Sequence, residues 1–208
     1  MTRRSKSSDR WLREHFADPY VKRAKAEGWR SRAVFKLEEM DRNARLLKPG
    51  MLVLDLGAAP GAWSQYARRQ VGKHGRVLAS DILPMEPIAG VEFIEGDFRE
   101  QAVIDAIQSA LGAAGLDVLL SDMAPNMSGM DVIDAPRALY LAELALSLAV
   151  QLLKPGGIAL IKLLQGAGFQ EFVAAARRDF AVLKFLKPEA SRSRSPETYL
   201  LASDRRIV

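Results

Sequence analysis

The stretch Val53-Leu54-Asp55-Leu56-Gly57-Ala58-Ala59-Pro60-Gly61-Ala62-Trp63-Ser64 decides the fold. It reads as a buried strand, a tight turn and a helix start. Residues 51–56 are apolar except for Asp55, the pattern of a central parallel strand covered on both faces. Gly57 and Gly61 bracket the turn, where the missing Cβ lets backbone approach a ligand closely, and Pro60 stiffens it. Asp55 needs partners, because an unpaired buried charge is very costly. Open α/β sheets bind ligands at the carboxyl ends of their strands, so this turn is the expected cofactor site.

Two common phosphate-cradling readings are weak. A dinucleotide fingerprint requires G-x-G-x-x-G after the strand, whereas the spacing here is Gly57-x-x-x-Gly61. A P-loop requires Gly-Lys followed by Ser or Thr, and the Gly72-Lys73 pair is followed by His74. A carboxylate before a glycine turn suits a cationic, amine-bearing ligand, and the sulfonium and amino acid of S-adenosylmethionine fit that description.

Working outward, 208 residues with 49% hydrophobic content fit one globular domain. The chain contains no cysteine, which excludes disulfides, thiolate metal sites and a cysteine nucleophile. With His15 and His74 as the sole histidines, zinc or histidine-based catalysis is not expected. No apolar run reaches the length of a membrane span, and the N-terminus has no apolar signal region. A cytoplasmic protein is therefore expected, as a monomer without metal or membrane attachment. The net charge of +5 is uneven: residues 1–36 carry +7 and the remainder −2. This asymmetry is the footprint of a polyanion-binding segment.

In chain order, residues 1–9 form an expected disordered basic tail. The rest, 10–208, is expected to be a single domain with an N-terminal helical RNA-binding segment over 10–48. A helical pattern starts at Arg10, with Trp11, Leu12, Phe16, Tyr20 and Val21 as packing residues and Pro19 as a possible interruption. A second helix starts near Ser31, a candidate N-cap. Its stripe is Val34, Leu37 and Met40, and Lys36 lies off it. Strands are predicted over 51–56, 76–80, 91–95, 116–121, 158–163, 181–186 and 198–202, and helices over 101–111, 134–153 and 168–178. Repeated βαβ units imply a doubly wound, mostly parallel sheet. The last two strands follow each other without a long helix, so one of them should run antiparallel.

Four acids, Asp55, Asp81, Asp97 and Asp122, fall at predicted strand ends, where they would converge on one edge of the sheet. Asp81 lies 20 residues beyond Gly61, the spacing of a ribose-binding acid in a nucleotide-binding βαβ unit. Asp97 could face an adenine. Lys162 stands inside an apolar strand, where a long cation is expensive without a partner or a task.

These residues carry a family resemblance. The chain resembles the FtsJ-type, heat-shock ribosomal RNA methyltransferases in residues 54–64, in Ser121-Asp-Met-Ala-Pro-Asn-Met-Ser-Gly129 and in Ile161-Lys-Leu-Leu-Gln-Gly166. Residues 30–36 and 191–199 also resemble it. The resemblance implies a class I methyltransferase (Rossmann-like) fold that uses S-adenosylmethionine to methylate a ribose 2′-hydroxyl. The nearest likeness is to bacterial members acting on a uridine in the A-loop of large-subunit ribosomal RNA, with a part in subunit maturation. It implies a catalytic set of Lys36, Asp122, Lys162 and Glu197. The cofactor positions it implies are Asp55, Gly57, Pro60, Gly61, Trp63, Asp81, Ile82, Asp97, Phe98 and Asp122. Ala62 departs from a third glycine in that motif and should be tolerated if its φ is negative.

The implied chemistry is coherent. Methyl transfer from a sulfonium is an in-line displacement dominated by alignment. A neutral Lys162 could act as base, although a free lysine has a pKa of about 10.4; a charged Lys162 could orient the hydroxyl and stabilise developing oxyanion character. Arg30, Arg32, Arg192 and Arg194 flank the catalytic residues in sequence and are the expected RNA phosphate contacts. Trp11, Tyr20 and Trp29 are candidates for base stacking or for core packing. Two other classes stay open at this point: a nucleotide-dependent oxidoreductase on a similar fold, and a non-catalytic RNA-binding assembly factor.

Overall fold

The computed structural model describes residues 18–192 and 195–206. Its strands are β1 (Leu52–Leu56), β2 (Arg76–Asp81), β3 (Val91–Glu95), β4 (Leu116–Ser121), β5 (Leu153–Leu164), β6 (Phe180–Leu186) and β7 (Glu197–Arg205). They form one sheet in the order β3-β2-β1-β4-β5-β7-β6. Strands β1 to β5 pair in parallel, and β7 is antiparallel to both β5 and β6. The fold is thus the mostly parallel, doubly wound sheet expected from the sequence, with its antiparallel strand near the C-terminus.

Six α-helices cover the sheet: α1 (Pro19–Ala26), α2 (Val34–Ala44), α3 (Ala62–Val71), α4 (Gln101–Leu111), α5 (Asp131–Leu152) and α6 (Phe169–Asp179). Successive strand residues point to opposite faces, and the strands divide their apolar side chains accordingly. Val53, Val77, Val118, Leu120 and Leu160 pack against α2 and α3 through Val34, Leu37, Met40 and Trp63. Leu54, Leu78, Leu119, Ile161 and Leu163 pack against α4, α5 and α6 through Ile107, Leu146 and Phe172. Two filled faces explain why β1 and β4 read as continuous apolar runs. Among the described residues, no helix is long and apolar enough to cross a membrane.

The structure moves several expected boundaries, each for a local reason. Pro19 starts α1 instead of interrupting it. A proline at the first helical position gives up no helical hydrogen bond, and the Asp18 carboxylate accepts from the Tyr20 N–H at 2.9 Å. Trp11, Leu12, Phe16 and the tail over 1–9 lie outside the described residues. Ser31 does not cap α2, which begins at Val34; its hydroxyl accepts from the Ala33 N–H at 3.3 Å in the turn before the helix. Strand β5 begins five residues earlier than expected, because Leu153 already pairs with Leu116. The register then shifts between Leu116 and Val118, where Pro155-Gly156-Gly157 bulges the strand. Helix α5 begins at Asp131 and contains Pro136.

Buried Asp41 fastens α2 both to the segment leading into β1 and to α3. Its carboxylate accepts from the Leu47 N–H and from the Tyr66 hydroxyl, each at 2.9 Å. Asp41→Ala leaves both donors unpaired in the core. The expected loss is about 2–4 kcal/mol of unfolding free energy, measured by urea denaturation.

Candidate active site

The antiparallel register of β7 builds the site. Lys162 on β5 stands opposite Tyr199, and Leu164 opposite Glu197, so Lys162, Tyr199 and Glu197 share one face. Ser121 pairs with Ile161, which brings Asp122, the next residue after β4, alongside Lys162. Helix α2 packs on the same face and delivers Lys36 from above.

The four side chains meet. Lys162 Nζ donates to the Asp122 carbonyl at 2.6 Å and lies 3.1 Å from Asp122 Oδ1. Lys36 Nζ is 2.8 Å from Glu197 Oε1 and 3.9 Å from Asp122 Oδ1. The Tyr199 hydroxyl donates to Asp122 Oδ1 at 2.6 Å and accepts from Lys36 Nζ at 3.2 Å. The four charged side chains are only 10–18% exposed. Burial alone would raise the Asp122 carboxyl, but the Lys162 and Lys36 ammoniums and the Tyr199 hydroxyl outweigh it and hold it below the usual carboxylate range. Glu197 behaves alike, with burial opposed and exceeded by Lys36. Burial, reinforced by the Asp122 and Glu197 charges, raises Tyr199 well above its ordinary value, so its hydroxyl remains a donor.

The glycine turn lies on the other side of Asp122. Gly57 and Gly61 have φ values of +71° and +105°. A Cβ on Gly57 would stand 2.4 Å from Met123 Cγ, so this position excludes a side chain on two counts. Ala62 is the first residue of α3 and is not among the positive-φ residues, so the departure at this position carries no strain. Asp81 ends β2; its carboxylate accepts from the Ala59 N–H at 2.8 Å and the Leu83 N–H at 2.9 Å. Asp55 is not at the strand end. It is buried within β1, accepts from Ser64 Oγ at 2.6 Å, and has a second oxygen without a partner. Trp63 is also in the core, with its indole N–H on the Ala33 carbonyl at 2.8 Å and its ring 5.8 Å from that of Tyr199. Asp97 is paired with Arg99, Phe98 is partly buried against the core, and Ile82 is 64% exposed.

The arginines separate into two groups. Arg30 donates to the Pro60, Glu86 and Pro87 carbonyls at 3.0, 2.6 and 2.8 Å, clasping the loop after β2 to the glycine turn. Arg32 pairs with Asp18 and donates to the Ala190 carbonyl. Both guanidiniums are therefore engaged within the protein. Arg192 is exposed, and Arg194 lies outside the described residues. Tyr20 packs on Phe35 at 5.6 Å, and Trp29 on Tyr66 at 6.2 Å.

A family model described as FtsJ-like methyltransferase matches residues 29–205. The chain belongs to the FtsJ-like methyltransferase family. It is 58% identical over 207 residues to a protein named ribosomal RNA large subunit methyltransferase E from Xanthomonas oryzae pv. oryzae, covering 100% of this chain and 99% of the relative. Its structure resembles a ribosomal RNA methyltransferase from Plasmodium falciparum, with a TM-score of 0.76 and 26% identity over 85% of this chain and 98% of the other. Human methyltransferase-like protein 13, solved in complex with SAH, shares the fold alone, with a TM-score of 0.55 and 16% identity over 82% and 79% of the two chains.

As an FtsJ-like methyltransferase, the chain uses S-adenosylmethionine, and its turn fits that ligand. A carboxylate has about four acceptor sites; two N–H groups occupy part of Asp81, which leaves room for ribose hydroxyls. Exposed Ile82 beside it offers apolar surface to an aromatic ring. The bare backbone at Gly57 and Gly61 permits close approach. Sequence reasoning missed Tyr199, although it stands two residues after Glu197, the spacing that returns to the same face of a strand. It also missed Lys187, whose Nζ donates to the Ser195 and Glu197 carbonyls at 2.6 Å each and fixes the start of β7.

Asp55 makes a prediction about pH. Burial, reinforced by the charges of Asp122 and Asp81 and opposed by the Ser64 hydrogen bond, pushes its carboxyl up to about 7. The folded protein therefore holds a proton that the unfolded chain loses near pH 4, so this group's contribution to stability falls as pH rises between those values. Asp122 and Glu197 act in the opposite sense, and their contribution is complete above about pH 4.5 and lost below it. The expected thermal midpoint of the ligand-free protein falls from about pH 5 to pH 7, and Asp55→Asn removes that fall in calorimetry.

Proposed function

We propose that this FtsJ-like methyltransferase transfers the methyl group of S-adenosylmethionine to a ribose 2′-hydroxyl of large-subunit ribosomal RNA. The target is a uridine of the A-loop, and the modification contributes to subunit maturation in the cytoplasm. The name and full-length similarity of the Xanthomonas relative support the RNA class. The observation that carries the chemistry is Lys162 held by both the carbonyl and the carboxylate of Asp122.

Those two contacts use two N–H groups of Lys162. What remains on Nζ is a third N–H in the ammonium or a lone pair in the amine. In the first state Lys162 holds the 2′-oxygen in line, and in the second it takes the hydroxyl proton. Asp122 fixes the position of Nζ in both. Lys36, tied to Glu197 and Tyr199, keeps a second positive charge near the 2′-oxygen, where it stabilises the negative charge that this oxygen gains as its proton departs. The cofactor supplies an electrophilic methyl group on a sulfonium. Arg192 and Arg194 contact RNA phosphates together with the basic N-terminal segment, within which the Arg30 and Arg32 guanidiniums are engaged by the protein's own carbonyls and by Asp18.

Lys162→Ala should slow single-turnover methylation of unmodified large subunits by roughly a hundredfold or more, with cofactor affinity nearly unchanged. Lys162→Arg should not restore the rate, because guanidinium stays protonated and differs in shape. Mapping 2′-O-methyl groups in ribosomal RNA with and without the enzyme identifies the product, and a methyl group on a base overturns the reading. Asp81→Ala should weaken S-adenosylmethionine binding at least tenfold, about 1.4 kcal/mol, by calorimetry.

A further inference from the structure

Residues 82–90, between β2 and β3, adopt neither helix nor strand, and all are exposed except half-buried Met85 and Ile88. Those two side chains lie against the glycine turn. A Cβ on Gly61 would stand 2.7 Å from both Ile88 Cδ1 and Met85 Sδ, and 3.1 Å from Arg30 Nη1. Two apolar side chains and a guanidinium thus converge on the bare backbone of Gly61. The loop does little to hold itself. The Leu83 N–H donates to Asp81 Oδ1 at 2.9 Å and the Val91 N–H to the Ile88 carbonyl at 3.0 Å, both within the loop and its ends. Among the described residues, the hydrogen bonds that join the loop to the rest of the molecule come from Arg30, at the Glu86 and Pro87 carbonyls. The same guanidinium reaches the Pro60 carbonyl in the turn.

Arg30 is placed to span the two segments. Its backbone N–H donates to Gln65 Oε1 at 2.9 Å, which ties it to α3, the helix that follows the turn. Its guanidinium is a rigid planar fork. Nη1 bridges the turn and the loop, and Nη2 takes the next carbonyl along the loop. Hydrogen bonds from a charged donor are roughly twice as strong as neutral ones. A basic residue serving RNA alone would leave these donors to solvent.

We infer that Arg30 is the latch of the cofactor site. By fixing loop 82–90 on the glycine turn, it sets how firmly S-adenosylmethionine and its demethylated product are held. Arg30 is a positioning residue, because it acts through the loop and the turn. The loop starts directly after Asp81, so its placement sets where Ile82 and Leu83 stand relative to Gly57 and Gly61. A loop with exposed backbone and few buried contacts opens at low cost, and the fork is what opposes that opening. The inference concerns the methyl donor and does not depend on which hydroxyl is methylated. It also gives a residue of the basic N-terminal segment a task other than phosphate contact.

Two substitutions test the latch. Arg30→Lys keeps the charge and loses the fork, and Arg30→Ala loses both. In the ligand-free protein, the Leu83 and Val91 amides should exchange faster in each variant by nuclear magnetic resonance, while β1 and β4 keep wild-type protection. The dissociation constant of S-adenosylmethionine by calorimetry should rise about tenfold in both, the scale of one lost hydrogen bond to a charged group. S-adenosylhomocysteine should leave correspondingly faster in stopped flow. Methylation of unmodified large subunits should be slow at low cofactor concentration and recover as cofactor saturates, so that KM for the cofactor rises more than kcat falls. The salt dependence of RNA binding should match wild type. Wild-type cofactor affinity in a folded variant overturns the inference. So does an Arg30→Lys protein that binds cofactor normally where Arg30→Ala does not, since charge alone would then suffice. If neither variant folds, Met85→Ala combined with Ile88→Ala loosens the loop from its own side, and unchanged cofactor affinity there overturns the inference equally. Absence of a 2′-O-methyl group from the wild-type product defeats the ribose reading and leaves the cofactor affinities to decide the latch.

Discussion

One carboxylate oxygen, Asp122 Oδ1, holds the reactive end of the sheet together. Lys162 approaches it from β5, Tyr199 from β7 and Lys36 from α2, at 3.1, 2.6 and 3.9 Å. These elements come from distant parts of the chain and share no other polar junction of comparable density among the described residues. Removing that oxygen would leave the Tyr199 hydroxyl without its acceptor and Lys162 with a backbone carbonyl but no carboxylate, in a site with little access to water, where an uncompensated charge is far more costly than on the surface.

The cluster is balanced, two cations against two anions, and balance is what makes its burial tolerable. It is not what makes the fold stable. Well-packed apolar residues of similar volume often serve stability as well as a buried ion pair does. The stability comes from the two apolar layers on either side of the sheet, and the charged cluster occupies the carboxyl edge where those layers end. Tyr199 shows the transition within one side chain: its ring packs against Trp63 in the core, and its hydroxyl enters the polar junction.

The architecture is legible in the sequence because its determinants are local. Apolar runs, glycine turns and the βα alternation each lie within a short stretch, and together they specify the parallel sheet and the antiparallel return. The boundaries that move depend on pairing. Strand β5 begins at Leu153 because Leu116 waits beside it, which no inspection of residues 153–157 alone reveals. The same distinction holds in the site. Lys162 stands out as a cation in an apolar strand, whereas Tyr199 looks like any core aromatic until the β5–β7 register sets it opposite Lys162. Arg30 and Arg32 read as free for RNA for a related reason. Local sequence shows a basic stretch but not the carbonyls of Pro60, Glu86, Pro87 and Ala190 that occupy it. Asp55 reads from the sequence as a carboxylate in need of a partner, and the residue that supplies one, Ser64 on α3, is apparent only once the helix packs on β1.

The antiparallel β7 has a consequence for how the molecule comes into being. Lys36 and Tyr199 are hydrogen-bonded across 163 positions of sequence, and β7 is made after the other six strands of the sheet. Strands β1 to β4, with the glycine turn, can be complete while β7 is still unmade. Contacts of such long range form late and slowly. A chain that stops short of β7 holds the glycine turn, Lys36 and Asp122 but lacks Glu197 and Tyr199, so the charged cluster is complete only when the closing strand docks.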